Sequence, residues 1–169
     1  MSIKRYFNAG VFIPLSMFVA EPGDWPSSVT IRIGKEGCKE GPIFRGKVAK
    51  TVEERSTGLG GRYERLRPDE AMVFVWKEKA DGSFFWMKET YIPLSLLYFD
   101  KKGKLLTTYE MPVEADPSHP KALYFKPDEA VVGVEMAPGN ASRFASSSSS
   151  SFTLCLQSDS IAKSKELKH

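Results

Sequence analysis

Turn signals break the stretch from Val29 to Met136 into short apolar runs, and this punctuation most constrains the fold. Val29, Ile31 and Ile33 alternate with polar residues and stop at Gly34, the pattern of a half-buried strand. Met72–Trp76 is an apolar run, and Asp81-Gly82 turns the chain into a further predicted strand over Ser83–Lys88. Leu94–Phe99 and Leu105–Tyr109 flank Asp100-Lys-Lys-Gly103, the clearest hairpin. Ala130–Met136 is a late strand closed by Pro138-Gly139. A single helix is expected. Thr51-Val-Glu-Glu54 is a capping box, in which Thr51 caps the first amides and Glu54 reaches back. The helix then runs over Val52–Leu59 and ends at Gly60-Gly61, where left-handed geometry carries no steric penalty. Many short strands with closely spaced turns predict a mainly β protein: a compact antiparallel β-sandwich or partly closed barrel with one short α-helix.

Composition narrows the function classes. The chain has 169 residues, 41% hydrophobic and 27% charged, the profile of one soluble domain plus tails. Its net charge of +3 is spread over interleaved basic and acidic residues without a long Lys/Arg run, so no nucleic-acid partner is expected. Cys38 and Cys155 lie far apart with no ligand spacing around either, and His119 and His169 are the only histidines, which argues against a metal site. No phosphate loop or dinucleotide fingerprint is present, and no cofactor is expected. In an oxidising compartment Cys38 and Cys155 could pair, but two lone cysteines leave that open.

Both termini read as lying outside the domain. Lys4 and Arg5 precede the uncharged run Tyr6–Ala20, and Glu21, Pro22 and Gly23 follow, the order of an export signal. At about 15 residues the run is short for a membrane span. Asn8, Gly10, Pro14 and Ser16 interrupt it, and the competing reading is a buried N-terminal strand. Residues 1–23 are therefore expected to be an export signal or a membrane tether through residues 6–20. The β-rich domain is expected to occupy 24–144. At the other end, Ser146 to Ser151 is an unbroken serine run that offers nothing to bury and should not order itself. Phe152 to Leu156 could form a short strand, but Ala145–His169 as a whole is expected to lie outside the core.

One block is distinctive. Phe85-Trp86-Met87-Lys88, then Thr90 and Ile92-Pro93-Leu94, combine aromatics, a thioether, a cation and a proline ahead of an apolar strand. Val48-Ala49, Thr51, Glu54-Arg55, Gly58-Leu59, Arg62 and Ala71-Met72-Val73-Phe74 precede it, and Phe99-Asp100, Glu135 and Gly139 come after it. In this order the residues resemble the "domain of unknown function 192" family, over about Phe44 to Gly139. The resemblance implies a compact, mostly antiparallel β domain with one short helix, often behind an export signal. Three positions depart from the family pattern: Gly60 where a Met is usual, Glu89 where an Asn is usual, and Ser95 where an Asp is usual. The family also continues past Gly139 with a helical turn and a last strand, where this chain turns to serines.

The chemistry is less legible. Neither cysteine lies near a motif, and His119, between Ser118 and Pro120, reads as a solvated loop residue. Glu54, Asp69, Glu70, Asp100 and Glu135 would permit a two-carboxylate hydrolase. Asn140-Ala-Ser142 fits a glycosylation sequon, informative only in a eukaryotic secretory setting. Arg55, Arg62 and Lys88 form the candidate cationic group. Either Arg55 and Lys88 pair with acids such as Glu54 or Glu135, or the cations and Trp86 line a small site for a carboxylate, phosphate or sugar. The candidate ligand residues are therefore Arg55, Arg62, Trp86, Lys88 and Glu135. The expected function is a non-catalytic, exported or envelope-associated binding domain for a small polar or anionic ligand. The alternative is a carboxylate-dependent hydrolase.

Overall fold

The computed structural model describes residues 10–18, 20–35, 37–77, 83–145 and 152–157. The Asp81-Gly82 turn and the Ser146–Ser151 run lie outside the described residues. The chain is mainly β, as its punctuation predicts, but the strands form one open sheet instead of two stacked ones. That sheet contains β1 (Phe12–Pro14), β2 (Ser28–Gly34), β3 (Ile43–Ala49), β4 (Glu70–Val75), β6 (Leu94–Asp100), β7 (Leu105–Met111), β9 (Ala130–Met136) and β10 (Thr153–Gln157). The eight strands run in the order β1-β10-β2-β3-β4-β9-β6-β7. A separate two-stranded ribbon pairs β5 (Phe84–Phe85) with β8 (Tyr124–Phe125). The predicted strand Ser83–Lys88 thus shortens to two residues.

The sheet is mostly antiparallel, as expected, and one parallel pair makes it mixed. β3 and β4 are parallel, with Lys47 opposite Met72 and Val48 opposite Val73. Parallel neighbours need a long crossover. Residues 50–69 supply it, and α1 (Val52–Thr57) lies within them. Here the capping box has the predicted geometry. The Thr51 hydroxyl accepts from the Glu54 amide at 3.1 Å, and the Glu54 carboxylate accepts from the Lys50 and Thr51 amides at 2.8 and 2.9 Å. These backbone donors hold the Glu54 carboxyl below its ordinary pKa. The helix stops earlier than expected, at Gly58 with φ +47. Thr51→Ala is expected to lower stability by about 0.5–2 kcal/mol, read as a lower denaturation midpoint at unchanged slope. An unchanged midpoint would mean the cap contributes nothing.

Apolar side chains cover both faces of the sheet. Val29, Ile31, Ile33, Val73, Val75, Leu97, Phe99, Val132 and Val134 pack on one face. Leu66, Met87, Ile92, Leu94, Leu96, Tyr98 and Met111 pack on the other. On this second face a Cβ at Gly133 would lie 2.9 Å from the Trp76 ring, so a larger residue there would displace the indole.

The C-terminal expectation is overturned for residues 152–157. β10 lies between β1 and β2, and Leu154, Cys155 and Leu156 are wholly buried. Cys155 is disulfide-bonded to Cys38, with Cα atoms 5.9 Å apart. The helical turn is also present as a second helix, α2 (Asn140–Ala145), which buries Phe144 edge-on to Phe152 at 5.0 Å. The serine run hid this strand because a low-complexity spacer carries no information about the residues beyond it. At its start β10 also meets the far end of the sheet: the Leu105 amide donates to Phe152 O at 3.1 Å, and the Leu154 amide to Gly103 O at 2.7 Å. The sheet therefore curls until its ends touch at one bridge, Lys104 to Thr153, without closing.

The described part of the N-terminal run belongs to the same structure. Phe12–Pro14 pairs with β10, Leu15 is buried, and Phe18 stands edge-on to Trp25 at 5.0 Å. Among the described residues no helix is long and apolar enough to cross a membrane.

Candidate functional site

Alternation along β2, β3 and β4 turns Val29, Ile31, Phe44, Val48 and Val73 towards the core. It turns Ser28, Thr30, Arg45, Lys47, Glu70 and Met72 to the opposite side. These outward residues floor a broad cleft of about 1380 Å³. The crossover supplies one wall, from Glu53 through Gly60 to Arg62 and Arg67, and Gly23–Ser27 supplies another. The cleft exists because α1 must pass over the same sheet face to reach the start of β4.

Most cations here are already engaged. Arg45 Nη1 donates to Asp69 Oδ2 at 2.8 Å, and Arg67 lies 3.6 Å from the same carboxylate. Arg62 forks onto Glu70 at 2.8 and 3.1 Å, and its Nε donates to Glu64 O at 2.7 Å. The Arg62 fork lowers the Glu70 pKa, with burial opposing and the Arg67 amide assisting. Lys50 Nζ donates to Trp25 O at 2.7 Å. The ammonium of Lys47, exposed on the floor, has no hydrogen-bond or ion-pair partner among the described residues.

Of the five residues expected at the site, only Arg62 lines this cleft. Arg55 donates to Lys50 O at 2.8 Å and to Val75 O at 3.1 Å. It ties α1 to β4 through carbonyls, where acids had been expected, and partial burial lowers its pKa. Trp86 is exposed and Lys88 projects over it, with Nζ 5.2 Å from the ring centroid. The expected Lys88 pairing with Glu135 or Glu54 does not form. Glu54 is spent on the helix cap, and Lys88 lies on the outward side of the alternation that buries Met87; the next residue, Glu89, takes a left-handed φ of +50. The Asn usual at that position adopts this conformation more readily than Glu.

Glu135 behaves differently from the other four. It is 5% exposed, and its Oε2 is buried with no hydrogen-bond partner among the described residues. It stands between Met72 of β4 and Leu96 of β6. Burial alone pushes its carboxyl up to about 8. The register Lys47–Met72–Glu135 places it one strand beyond the cleft floor.

Ser95, another of the three departures from the family pattern, links β6 to α2. Its hydroxyl donates to Glu110 Oε2 at 2.8 Å and accepts from the Ala141 amide at 3.0 Å. Glu110 also receives the Gly139 and Ser142 amides at 3.1 and 3.0 Å. Burial raises the Glu110 pKa, but these donors outweigh it and the net shift is downward. Sequence reasoning missed Lys47. The signal was available: Phe44-Arg45-Gly46-Lys47-Val48 alternates, so both cations had to share one exposed strand face.

Fold and cleft together define a small, mainly β domain built on a curled mixed sheet with a single helical crossover. The chain belongs to the domain of unknown function 192 family, described as an uncharacterized ACR, whose model matches residues 36–162. No curated protein matches it. Among solved structures it is similar to a candidate transcription regulator from Sinorhizobium meliloti 1021, with a TM-score of 0.61 and 23% identity over 77% of this chain and 94% of that one. It is also similar to a protein of unknown function from Novosphingobium aromaticivorans DSM 12444, with a TM-score of 0.60 and 21% identity over 75% of this chain and 84% of that one. At these identities the likeness concerns the fold.

Proposed function

We propose that the domain is a non-catalytic binding module whose cleft takes a small polar or anionic ligand, and that it works outside the cytoplasm. The observation that carries the reading is Lys47, an exposed ammonium without a partner among the described residues, on a floor whose neighbouring arginines are already paired. A cation kept free in a concave site favours a carboxylate, phosphate or acidic sugar. The Cys38–Cys155 disulfide supports export, because such bonds persist in oxidising compartments. Pairing of Phe12–Pro14 with β10 favours an N-terminal run that is retained as a strand of the domain over one that is removed or inserted in a bilayer.

The test is a thermal-shift screen against inorganic phosphate, citrate, glucuronate and nucleoside monophosphates. A ligand at a hundred times its Kd stabilises by about 2.7 kcal/mol, a readily measured shift. Lys47→Met is expected to leave the unliganded melting temperature nearly unchanged and to abolish the shift. An equal shift in the variant, or none with any anion, would sink the reading. For export, non-reducing mass spectrometry of protein recovered from native cells should find the two thiols blocked to alkylation. Free thiols in a cytoplasmic product starting at Met1 or Ser2 would overturn it.

A carboxylate hydrolase is favoured by a separate observation. Glu70 and Glu135 stand on adjacent strands and share a sheet face as diagonal neighbours. One carboxyl is held ionised by Arg62 and the other is raised by burial, the divergence that general acid–base pairs use. Turnover of a glycoside or ester that disappears in Glu135→Gln would select this reading over the first.

A further inference from the structure

The β5–β8 ribbon pairs Phe84 with Phe125 and Phe85 with Tyr124. Alternation sends Phe85 and Tyr124 inward, where Phe85 stands edge-on to Phe74 at 4.7 Å and Tyr124 is edge-on to Tyr109 at 5.5 Å. The in–out burial pattern continues beyond the paired residues, so that Trp86, Lys88, Lys121 and Leu123 also face outward. An outward strand face is normally polar. Here Phe84, Trp86, Leu123 and Phe125 occupy it, exposed by 43, 44, 42 and 59%. The rings are contiguous, with Phe84 5.9 Å from Trp86 and 6.0 Å from Phe125. A joined apolar surface of this kind marks an interaction site.

The order of side chains along the ribbon identifies the partner. The strands are antiparallel and pair at Phe84–Phe125 and Phe85–Tyr124; beyond those pairs the chain continues through Trp86 to Lys88 on one side and through Leu123 to Lys121 on the other. Both rows therefore read from phenylalanine, through tryptophan or leucine, to lysine. Lys88 holds its ammonium over the Trp86 ring. This is the gradient of a bilayer interface: phenyl rings at the acyl boundary, the indole at headgroup depth, and ammonium groups at the lipid phosphates. A purely apolar protein contact would not call for a lysine closing each row.

We propose that this outer face is a peripheral membrane-docking surface for a bilayer carrying anionic lipid. Phe84 and Phe125 enter the interface, and Lys88 and Lys121 contact the headgroups. The inference is independent of the cleft and of which compartment the protein occupies.

The test uses the full chain and vesicles of phosphatidylcholine with or without about 30% phosphatidylglycerol, read by co-sedimentation and tryptophan emission. Trp25 is buried and Trp76 partly buried in the packed interior, whereas Trp86 is exposed, so docking should blue-shift the emission, and lipids with brominated chains should quench it. Phe84→Ser, Trp86→Ser and Phe125→Ser combined should lower partitioning at least about tenfold at an unchanged melting temperature. Lys88→Ser with Lys121→Ser should lower it about tenfold or more on anionic vesicles only. Equal partitioning of wild type and the triple variant would assign any lipid binding to the N-terminal run and overturn the proposal. A wild-type dimer that the triple variant dissolves, with no lipid effect, would assign the face to a second copy and also overturn it. Should the triple variant not fold, quenching in the wild type decides, and its absence overturns the proposal.

Discussion

Ending the chain before Phe152 is expected to unfold the domain, not to trim a tail. The truncation removes Phe152, Leu154 and Leu156, which are 9, 0 and 0% exposed. Each buried side chain of this type contributes about 1.5–3 kcal/mol. It also removes the Cys38–Cys155 bond, which spans 117 residues and in the chain-entropy picture contributes about 5 kcal/mol. The sum is comparable to the whole stability of an ordinary domain, about 5–15 kcal/mol. β1 would lose its partner and β2 an edge. Circular dichroism and urea titration should show no cooperative transition in the truncated protein. Reduction of the full chain should lower the midpoint while keeping cooperativity. A truncated chain that still melts sharply near the wild-type temperature would show that β10 is dispensable.

The second large effect concerns Glu135 and pH. Its folded pKa of about 8 lies above the ordinary carboxyl value, so the folded state binds the proton more tightly than the unfolded state does. The contribution of Glu135 to stability is therefore fully present below the unfolded value of about 4.5 and is lost as pH rises through the folded value. A tenfold difference in proton affinity corresponds to about 1.4 kcal/mol, so the loss across that window is on the order of 3–5 kcal/mol. Glu135→Gln keeps the shape and removes the charge, so it should be nearly neutral at pH 5 and stabilising at pH 9. Urea midpoints at the two pH values measure this directly. Parallel pH profiles in wild type and variant would mean that water or a neighbour already solvates the carboxylate.

The candidate site was only partly readable in advance. Arg62 was legible because it follows a helix end in a distinctive motif. The place of Lys88 after Phe85-Trp86-Met87 suggests burial, whereas the alternation that buries Met87 turns Lys88 outward. Glu135 was chosen for a pairing it does not make, yet it is the one member of the set whose burial leaves an unsatisfied oxygen. The alternation of Phe44–Val48 marks Lys47 as exposed but not as unpaired. Its interest comes from the acids that its neighbours have already taken.

Local chemistry determined a good deal of this protein. Period-two alternation, the Thr51–Glu54 box and the Asp100–Gly103 turn act over a few residues, and each appears where the chain specifies it. The Asp100 carboxylate accepts the Lys102 and Lys104 amides at 2.8 Å, and Gly103 takes φ +81. The features that tertiary structure alone decided are long-range. Whether β3 meets β4 in parallel, whether Phe152–Leu156 enters the sheet across a serine spacer, and whether Cys38 meets Cys155 all depend on which surfaces remain unburied once the other strands have paired. An alternating strand encodes which face it buries but not its neighbour, because backbone hydrogen bonds are the same for every partner. That choice belongs to the packed core, and with it the cleft and the exposed ribbon.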